Sequence, residues 1–377
     1  MNNIDPYISI LLVVRCDDWG GDSLIPRYQG MINYLYKCQN LYPNLLEICI
    51  AEYNPLNNKA LFTKKVKIPP EMDIKIWMIP NEIHRLYKLI RPFYLSHAFN
   101  FLIRKCKGKF VLPTTQDLFF SESLIRFLSK KVLKEKYFYR IDKLDFENKR
   151  PIKTSFCSFK DIDKIALLNA KRIHIRHDIR YPFISKDISC IEKFDKIPRS
   201  IKNIFDCYDK KNGLIYCRES FKNSYFMKKI KILKNKILEI LIRYNFLSSL
   251  NKIFLLLKDS YLFGLHTNAS GDFILASREH YIAVGGFKED KTQYHIDSYM
   301  VAQLASKGLK QIILTDKHLL YNTDHKRGKE SIDYDNSRNW NKVYMNIKKM
   351  LNHEISYHLN DKNWGFKKYL DKISKIR

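Results

Sequence analysis

Over the first third of the chain, short unbroken apolar runs alternate with segments whose apolar positions recur every three to four residues. Residues 8–15 read Ile-Ser-Ile-Leu-Leu-Val-Val-Arg, a run that suits a strand buried on both faces. A loop containing Gly20 and Gly21 follows, and residues 26–39 place Ile32, Leu35 and Tyr36 at helical spacing. Residues 46–52 and 74–79 repeat the strand pattern. Residues 94–107 carry Leu95, Ala98, Phe99, Leu102, Ile103 and Cys106 as one helical stripe, which Gly108 is expected to close as a C-terminal cap. A strand at 110–114 comes next, and Ser121 is expected to cap a helix running to about residue 133. Strands alternating with helices predict an α/β fold around a mostly parallel central sheet flanked by helices.

Beyond this point the pattern changes. Tyr139-Arg140-Ile141-Asp142 reads as an edge strand of the same sheet, and residues 143–262 are less regular, basic and read as a largely helical insertion. Within it, residues 221–258 interleave Met227, Ile230, Leu233, Ile237, Leu241 and their neighbours with lysines, as amphipathic helices do. Regular α/β signals return over 265–327, with a strand at 311–314, and residues 331–377 read as a polar helical tail. The expected division is therefore 1–142, 143–262, 263–330 and 331–377, with no internal repeat.

Composition narrows the class. A hydrophobic share of 45%, of which aromatics make 14% of the chain, supports a packed core despite the high charge. Lys and Arg number 67 against 39 Asp and Glu, a formal net charge of +28. That balance favours an anionic partner: nucleic acid, acidic lipid or a phosphorylated small molecule. Lys, Ile and Asn are abundant throughout, so compositional bias is the competing account of the charge. The 8 cysteines are scattered without a Cys-x-x-Cys pair, which points to reduced, structural thiols in a cytosolic setting. The N-terminus has no basic stretch followed by a long apolar one, so no secretory signal is expected, and the apolar runs fall short of the roughly 20 residues that cross a bilayer. A cytoplasmic location follows as an expectation, with the basic 221–258 segment open to peripheral contact with the anionic inner membrane face.

The chemistry-bearing residues cluster at strand ends. Thr114-Thr115-Gln116-Asp117 ends the strand at 110–114, and ligands of open α/β sheets bind at such carboxyl ends. Two other carboxylates, Asp17 after Arg15 and Glu52 in Ala51-Glu52-Tyr53, share that edge. His174, His177 and Asp178 have metal-ligand types without a third ligand in register, and the Gly20-Gly21 pair is too weak for a phosphate loop.

The order of Asn100 in a helix, Lys107-Gly108-Lys109-Phe110-Val111, then Thr115-Gln116-Asp117 resembles the family 2-type inverting glycosyltransferases of GT-A fold. A second stretch is similar as well: Gly271-Asp272-Phe273, Arg278-Glu279-His280, Gly285-Gly286-Phe287 and, after a gap, His295-Ile296-Asp297. Thr115 stands where the family's Asp-x-Asp motif has its first acid. The resemblance implies a Rossmann-like nucleotide-diphospho-sugar transferase fold with Asp297 as catalytic base. It implies Asp117 and His325 as ligands of Mn²⁺ or Mg²⁺, and Arg15, Asp17, Glu52, Asn100, Gln116, Lys326 and Arg327 as donor contacts. Asp272 and His295 would meet the acceptor. The implied partners are a nucleotide-sugar donor and a glycan or glycolipid acceptor of surface polysaccharide synthesis, with no nucleic acid. The rival readings are a basic nucleic-acid-binding protein, for which abundant Tyr and Phe speak, and a GT-A scaffold that has lost activity, for which Thr115 and His295 speak.

Overall fold

The structure, a computed structural model, describes residues 5–16, 24–53, 55, 61–87, 94–115, 118–147, 158–174, 207–209, 214–216, 261–262, 265–266, 272–289, 295–324 and 340–377. Its centre is β1 (Ile8–Val14), buried along its whole length. Successive side chains leave a strand on opposite faces. Accordingly Ile8, Ile10, Leu12 and Val14 enter one apolar cluster, while Leu11 and Val13 enter a second. The parallel neighbour β2 (Leu46–Tyr53) divides in the same way, with Leu46, Ile48 and Ile50 against Cys49, Ala51 and Tyr53.

A helix covers each face. On the first lies α1 (Leu24–Leu41), through Tyr28, Met31, Ile32, Leu35 and Cys38. On the second lies α4 (Leu95–Lys105), through Ala98, Phe101, Leu102 and Ile103. The shorter α2 (Phe62–Lys65) and α3 (Asn81–Leu86) flank β3 (Ile74–Ile79). With β4 (Phe110–Thr114), the inner strands run β4-β1-β2-β3, all parallel. Antiparallel strands β12 (Ala276–Ser277) and β14 (Ser374–Lys375) close the two edges. The expected α/β fold with a mostly parallel central sheet flanked by helices is what the molecule has.

The sequence-based expectations miss three features of this sheet. Gly108 is not a helix cap: α4 ends at Cys106, whose N–H bonds Leu102 O. Glycine is required there because a Cβ would come within 2.4 Å of Ser9 Oγ and 2.5 Å of Ser9 N. The helix capped by Ser121, α5 (Glu122–Ser129), stops short of residue 133. The tail is helical only in part: α9 (Trp340–Leu351) is followed by an irregular stretch, a short 3-10 helix (Lys367–Lys372) and then β14, which pairs with β3.

A second sheet has the order β7-β6-β13-β9-β8. Its members are β6 (Tyr137–Glu147), β7 (Ala170–His174), β8 (Cys207–Asp209), β9 (Leu214–Tyr216) and β13 (Lys310–Asp324), with β5 (Leu118–Phe120) paired to β13. Tyr139–Asp142 therefore belongs to an inner strand of this sheet and not to an edge of the first. Parallel pairing of β6 with β13 fixes it there, and the Tyr139 to Leu275 bridge joins it to the chain entering β12. The strand expected at 311–314 extends to Asp324, so Tyr321–Asp324 are strand residues. Within 143–262, the described residues outside these strands form α6 (Phe159–Leu168) and β10 (Tyr261–Leu262), the latter paired with β11 (Leu265–His266); the expected helices at 221–258 lie outside the described residues.

The remaining helices are α7 (Arg278–Ala283) and α8 (Ile296–Ser306). Among the described residues no helix is long and apolar enough to cross a membrane. Cys16, Cys38, Cys49 and Cys106 are buried and free of disulfides, as reduced core thiols should be. Burial pushes the Cys106 thiol up to about 11.

Candidate functional site

The parallel register sets Val14 opposite Glu52 and Leu12 opposite Thr114, so the residues following β1, β2 and β4 emerge along one carboxyl edge. Arg15 is fixed there through its backbone. Its N–H donates to the Tyr28 hydroxyl at 3.4 Å, and that hydroxyl donates to Arg15 O at 3.2 Å. Its charge bears on Tyr53 and His84, which hydrogen-bond to each other at 3.0 Å. Sequence reasoning missed that pair, because its members come from separate elements.

Glu52 is fully buried. Its Oε1 accepts from the N–H groups of Leu61 and Phe62 at 2.8 and 3.1 Å, which orders the start of α2. Its Oε2 is buried with no hydrogen-bond partner among the described residues. Burial raises the pKa of this carboxyl above its ordinary value, opposed by the two backbone donors and by Lys65. A buried carboxylate oxygen left without a donor costs free energy that a bound N–H or O–H would recover.

Beyond β4 the two sheets meet in a polar cluster. Thr114 Oγ1 donates to Asp272 O at 2.7 Å, and Thr115 Oγ1 to Asp272 Oδ1 at 3.3 Å. Asp272 Oδ2 pairs with Lys143 Nζ at 2.7 Å, and Lys143 also lies 3.6 Å from Asp145. Asn322 on β13 donates to Asp145 at 2.8 Å. Thr115 is thereby held against the Asp272 carboxylate. Lys143, Asp145 and Asn322 went unnoticed in the sequence; alternate polar residues at 143 and 145 on one strand were the available signal.

The expected metal ligands Asp117 and His325 lie outside the described residues, as do Asp17, Gln116, Lys326 and Arg327. Among the described residues no group of three His, Cys, Asp or Glu side chains could hold a metal ion. The oxygen donors that are described, Thr115 Oγ1 and the Asp272 carboxylate, suit a hard divalent cation chemically, although Lys143 already neutralises Asp272.

Two other expected residues are placed differently from one another. Asn100, expected at the donor, spends both amide hydrogens on Phe287 O and Glu289 Oε1 at 2.7 and 2.8 Å, and its Oδ1 accepts from Phe287 N at 2.7 Å. It is a clamp between α4 and the Gly285-Gly286-Phe287 turn, not a group presented to a ligand. Asp297 sits in the first turn of α8, where its Oδ1 accepts from Ser298 N at 2.8 Å. The cap of that helix is His295, in the left-handed region at φ 52°. A carboxylate in the first turn is stabilised by the helix dipole.

The structure therefore has the α/β class of fold whose ligands sit at the carboxyl edge, with Arg15, Glu52, Thr115 and Asp272 gathered along it. No protein-family model matches the sequence, and no curated protein matches it. Among solved structures it is similar to S. aureus TarS, at 9% identity and TM-score 0.44, covering 93% of this chain and 41% of that one. A TarS fragment, residues 1–349 in complex with UDP-GlcNAc, is 9% identical at TM-score 0.45, covering 95% of this chain and 74% of that one. GalNAc-T7 with UDP, GalNAc and Mn²⁺ is 9% identical at TM-score 0.41, covering 98% and 55%. This chain spans less than half the length of the first of these.

Proposed function

We propose that this protein is a GT-A-type glycosyltransferase that moves a sugar from a nucleotide-sugar to an acceptor hydroxyl with inversion at the anomeric carbon. The observation that carries the reading is the Oε2 of Glu52 at the carboxyl end of β2, buried with no hydrogen-bond partner among the described residues, beside Arg15 at the end of β1. That carboxylate oxygen can accept an N–H from a nucleobase, and the imide N–H of uracil is the donor this reading assigns to it. The ordered motifs from Asn100 to Asp117 and from Asp272 to Asp297 support the same reading.

In this reading Asp297 takes the proton of the attacking acceptor hydroxyl. Its helix leads through a short turn at Gly308 into β13. His295 and Asp272 contact the acceptor; Arg15, Asp17, Gln116, Lys326 and Arg327 contact the donor. Asp117 and His325 would hold a divalent cation, Mn²⁺ or Mg²⁺, which when bound neutralises the diphosphate. A single displacement inverts the configuration. The proposed acceptor is a glycan or glycolipid of surface polysaccharide synthesis, reached from the cytoplasmic side with peripheral contact to the anionic membrane.

Calorimetric titration with uridine, guanosine, adenosine and cytidine diphosphates, each with and without Mn²⁺, tests this directly. Binding is expected for the uridine ligand and to be strengthened by Mn²⁺. Absence of binding by every nucleoside diphosphate would remove the proposal, and saturable, steeply salt-dependent binding of an oligonucleotide would replace it.

A further inference from the structure

The turn at residues 285–289 is gripped from three directions. From the C-terminal segment, Asn360 Nδ2 donates to Gly285 O and Phe287 O at 2.8 and 2.6 Å, and Asn360 Oδ1 accepts from Glu289 N at 2.7 Å. From α4, Asn100 binds Phe287 on both its N–H and its carbonyl. From α8, Gln303 Nε2 lies within bonding distance of Val284 O, Gly286 O and Tyr357 O, at 3.1, 3.2 and 2.9 Å. At the centre, Glu289 Oε1 accepts from Asn100 Nδ2 and from Gly365 N at 2.8 and 2.7 Å.

Gly365 can make that contact only as glycine. Its φ is +68°, and a Cβ there would come within 2.8 Å of Asn100 O. The residues on either side secure the docking: the Arg104 guanidinium lies 3.8 Å over the Trp364 ring, and Phe366 is buried against Tyr53, Tyr87 and His97.

We propose that Glu289 is a positioning residue whose carboxyl group latches the C-terminal segment at Gly365 onto the turn that also anchors α8, so that docking of this segment holds the helix carrying Asp297. The catalytic half of this statement rests on the glycosyltransferase reading; the latch does not. Five groups face the carboxyl: His97 and Arg104 from α4, Tyr53 from β2, Tyr87 after α3, and Asp361 from the C-terminal segment itself. Burial pushes the Glu289 carboxyl up to about 7, with Asp361 adding to the rise and Asn100, Gly365 and Arg104 opposing it. A carboxyl raised by docking favours the docked state most when protonated. That contribution is complete below the ordinary carboxylate range and is lost as pH rises through about 7. The ratio of docked to released segment should therefore fall as pH rises through about 7.

The test is hydrogen exchange of the peptide spanning residues 360–370, corrected for intrinsic rates and read from pH 5.5 to 8.5, in the whole protein and in Glu289→Gln. The amide oxygen of glutamine still accepts from Gly365 and Asn100 but has no proton to lose. Protection in the parent protein should fall steeply with pH while that in the variant stays level. Parallel pH profiles in the two proteins, or a flat profile in the parent, would overturn the latch. Nucleotide-sugar turnover supplies the second readout: Glu289→Gln should flatten the alkaline fall of kcat and leave KM for the donor unchanged. If no nucleotide-sugar is turned over at all, the functional reading fails while the exchange result still decides the latch.

Discussion

Glu47 and Glu52 stand near the two ends of the same strand, and both are fully buried. At the amino end, Glu47 receives the Ser9 hydroxyl, the backbone N–H groups of Lys107 and Gly108, and the Lys75 ammonium. These partners outweigh desolvation and hold its pKa below the ordinary carboxylate value. At the carboxyl end, Glu52 has two backbone donors on one oxygen and none among the described residues on the other, and its pKa is raised. Among the described residues, the acid at one end of the strand has its acceptors met and the acid at the other does not. A closed buried charge fixes the fold, whereas an open one is stable only at a cost that a ligand can relieve.

If the carboxyl edge is the working edge, the largest effect belongs to the proposed base. Asp297→Asn should lower sugar transfer by about 10²- to 10⁴-fold while calorimetric binding of the nucleoside diphosphate stays unchanged. Near-normal transfer would detach Asp297 from the chemistry and leave the open edge as a binding site only. Next in size is the closed end. Glu47→Ala strands a lysine ammonium, the buried N–H of Gly108, the half-buried N–H of Lys107 and a hydroxyl, and should cost about 3–5 kcal/mol of unfolding free energy in a denaturant titration. Its effect on nucleotide affinity, scaled to folded protein, should be nil; a loss of affinity would mean that the two ends are not separate in function.

At the open end the expectation is the reverse. Glu52→Ala should weaken uridine diphosphate binding by about 10- to 100-fold, the worth of one hydrogen bond to a charged acceptor. Its effect on stability should be far smaller than that of Glu47→Ala, because only the Leu61 and Phe62 amides lose a partner. Equal losses of stability in the two variants would show that Glu52 is as structural as Glu47.

The same contrast explains what could be read from the sequence. Strands β1, β2 and β3 were legible because burial on both faces leaves unbroken apolar runs, and Ser121 because a cap acts within three residues, on Leu124 N. Glu52 stood out as a carboxylate directly after such a run. What escaped depends on distant partners. The second sheet is made by pairing β6 with β13, far apart along the chain, and β14 joins β3 through residues that are themselves exposed and carry no apolar signal. Asn100 looked like a ligand contact because its true partners lie 187 and 189 residues away. Gly108 looked like a cap for the same reason: the Ser9 atoms that forbid a side chain there come from β1, 99 residues away along the chain.

The smallest effect is also the sharpest in sign. Glu47 has a lowered folded-state pKa, so the stability it supplies is present above the unfolded carboxylate range and is lost as pH falls through its folded value. Glu52 has a raised one, so the stability tied to its protonated form is present in acid and is lost as pH rises through its folded value. The unfolding free energy of the parent protein minus that of Glu47→Gln should therefore shrink toward acid pH. The same difference taken with Glu52→Gln should shrink toward neutral pH, because the glutamine keeps one oxygen for Leu61 and Phe62 while removing the buried charge. Saturating uridine diphosphate should flatten the second profile, since a donor bound to Oε2 stabilises the ionised form, and should leave the first untouched. Two profiles of the same slope would mean that the open and closed ends differ only in the count of their hydrogen bonds and not in what they are for.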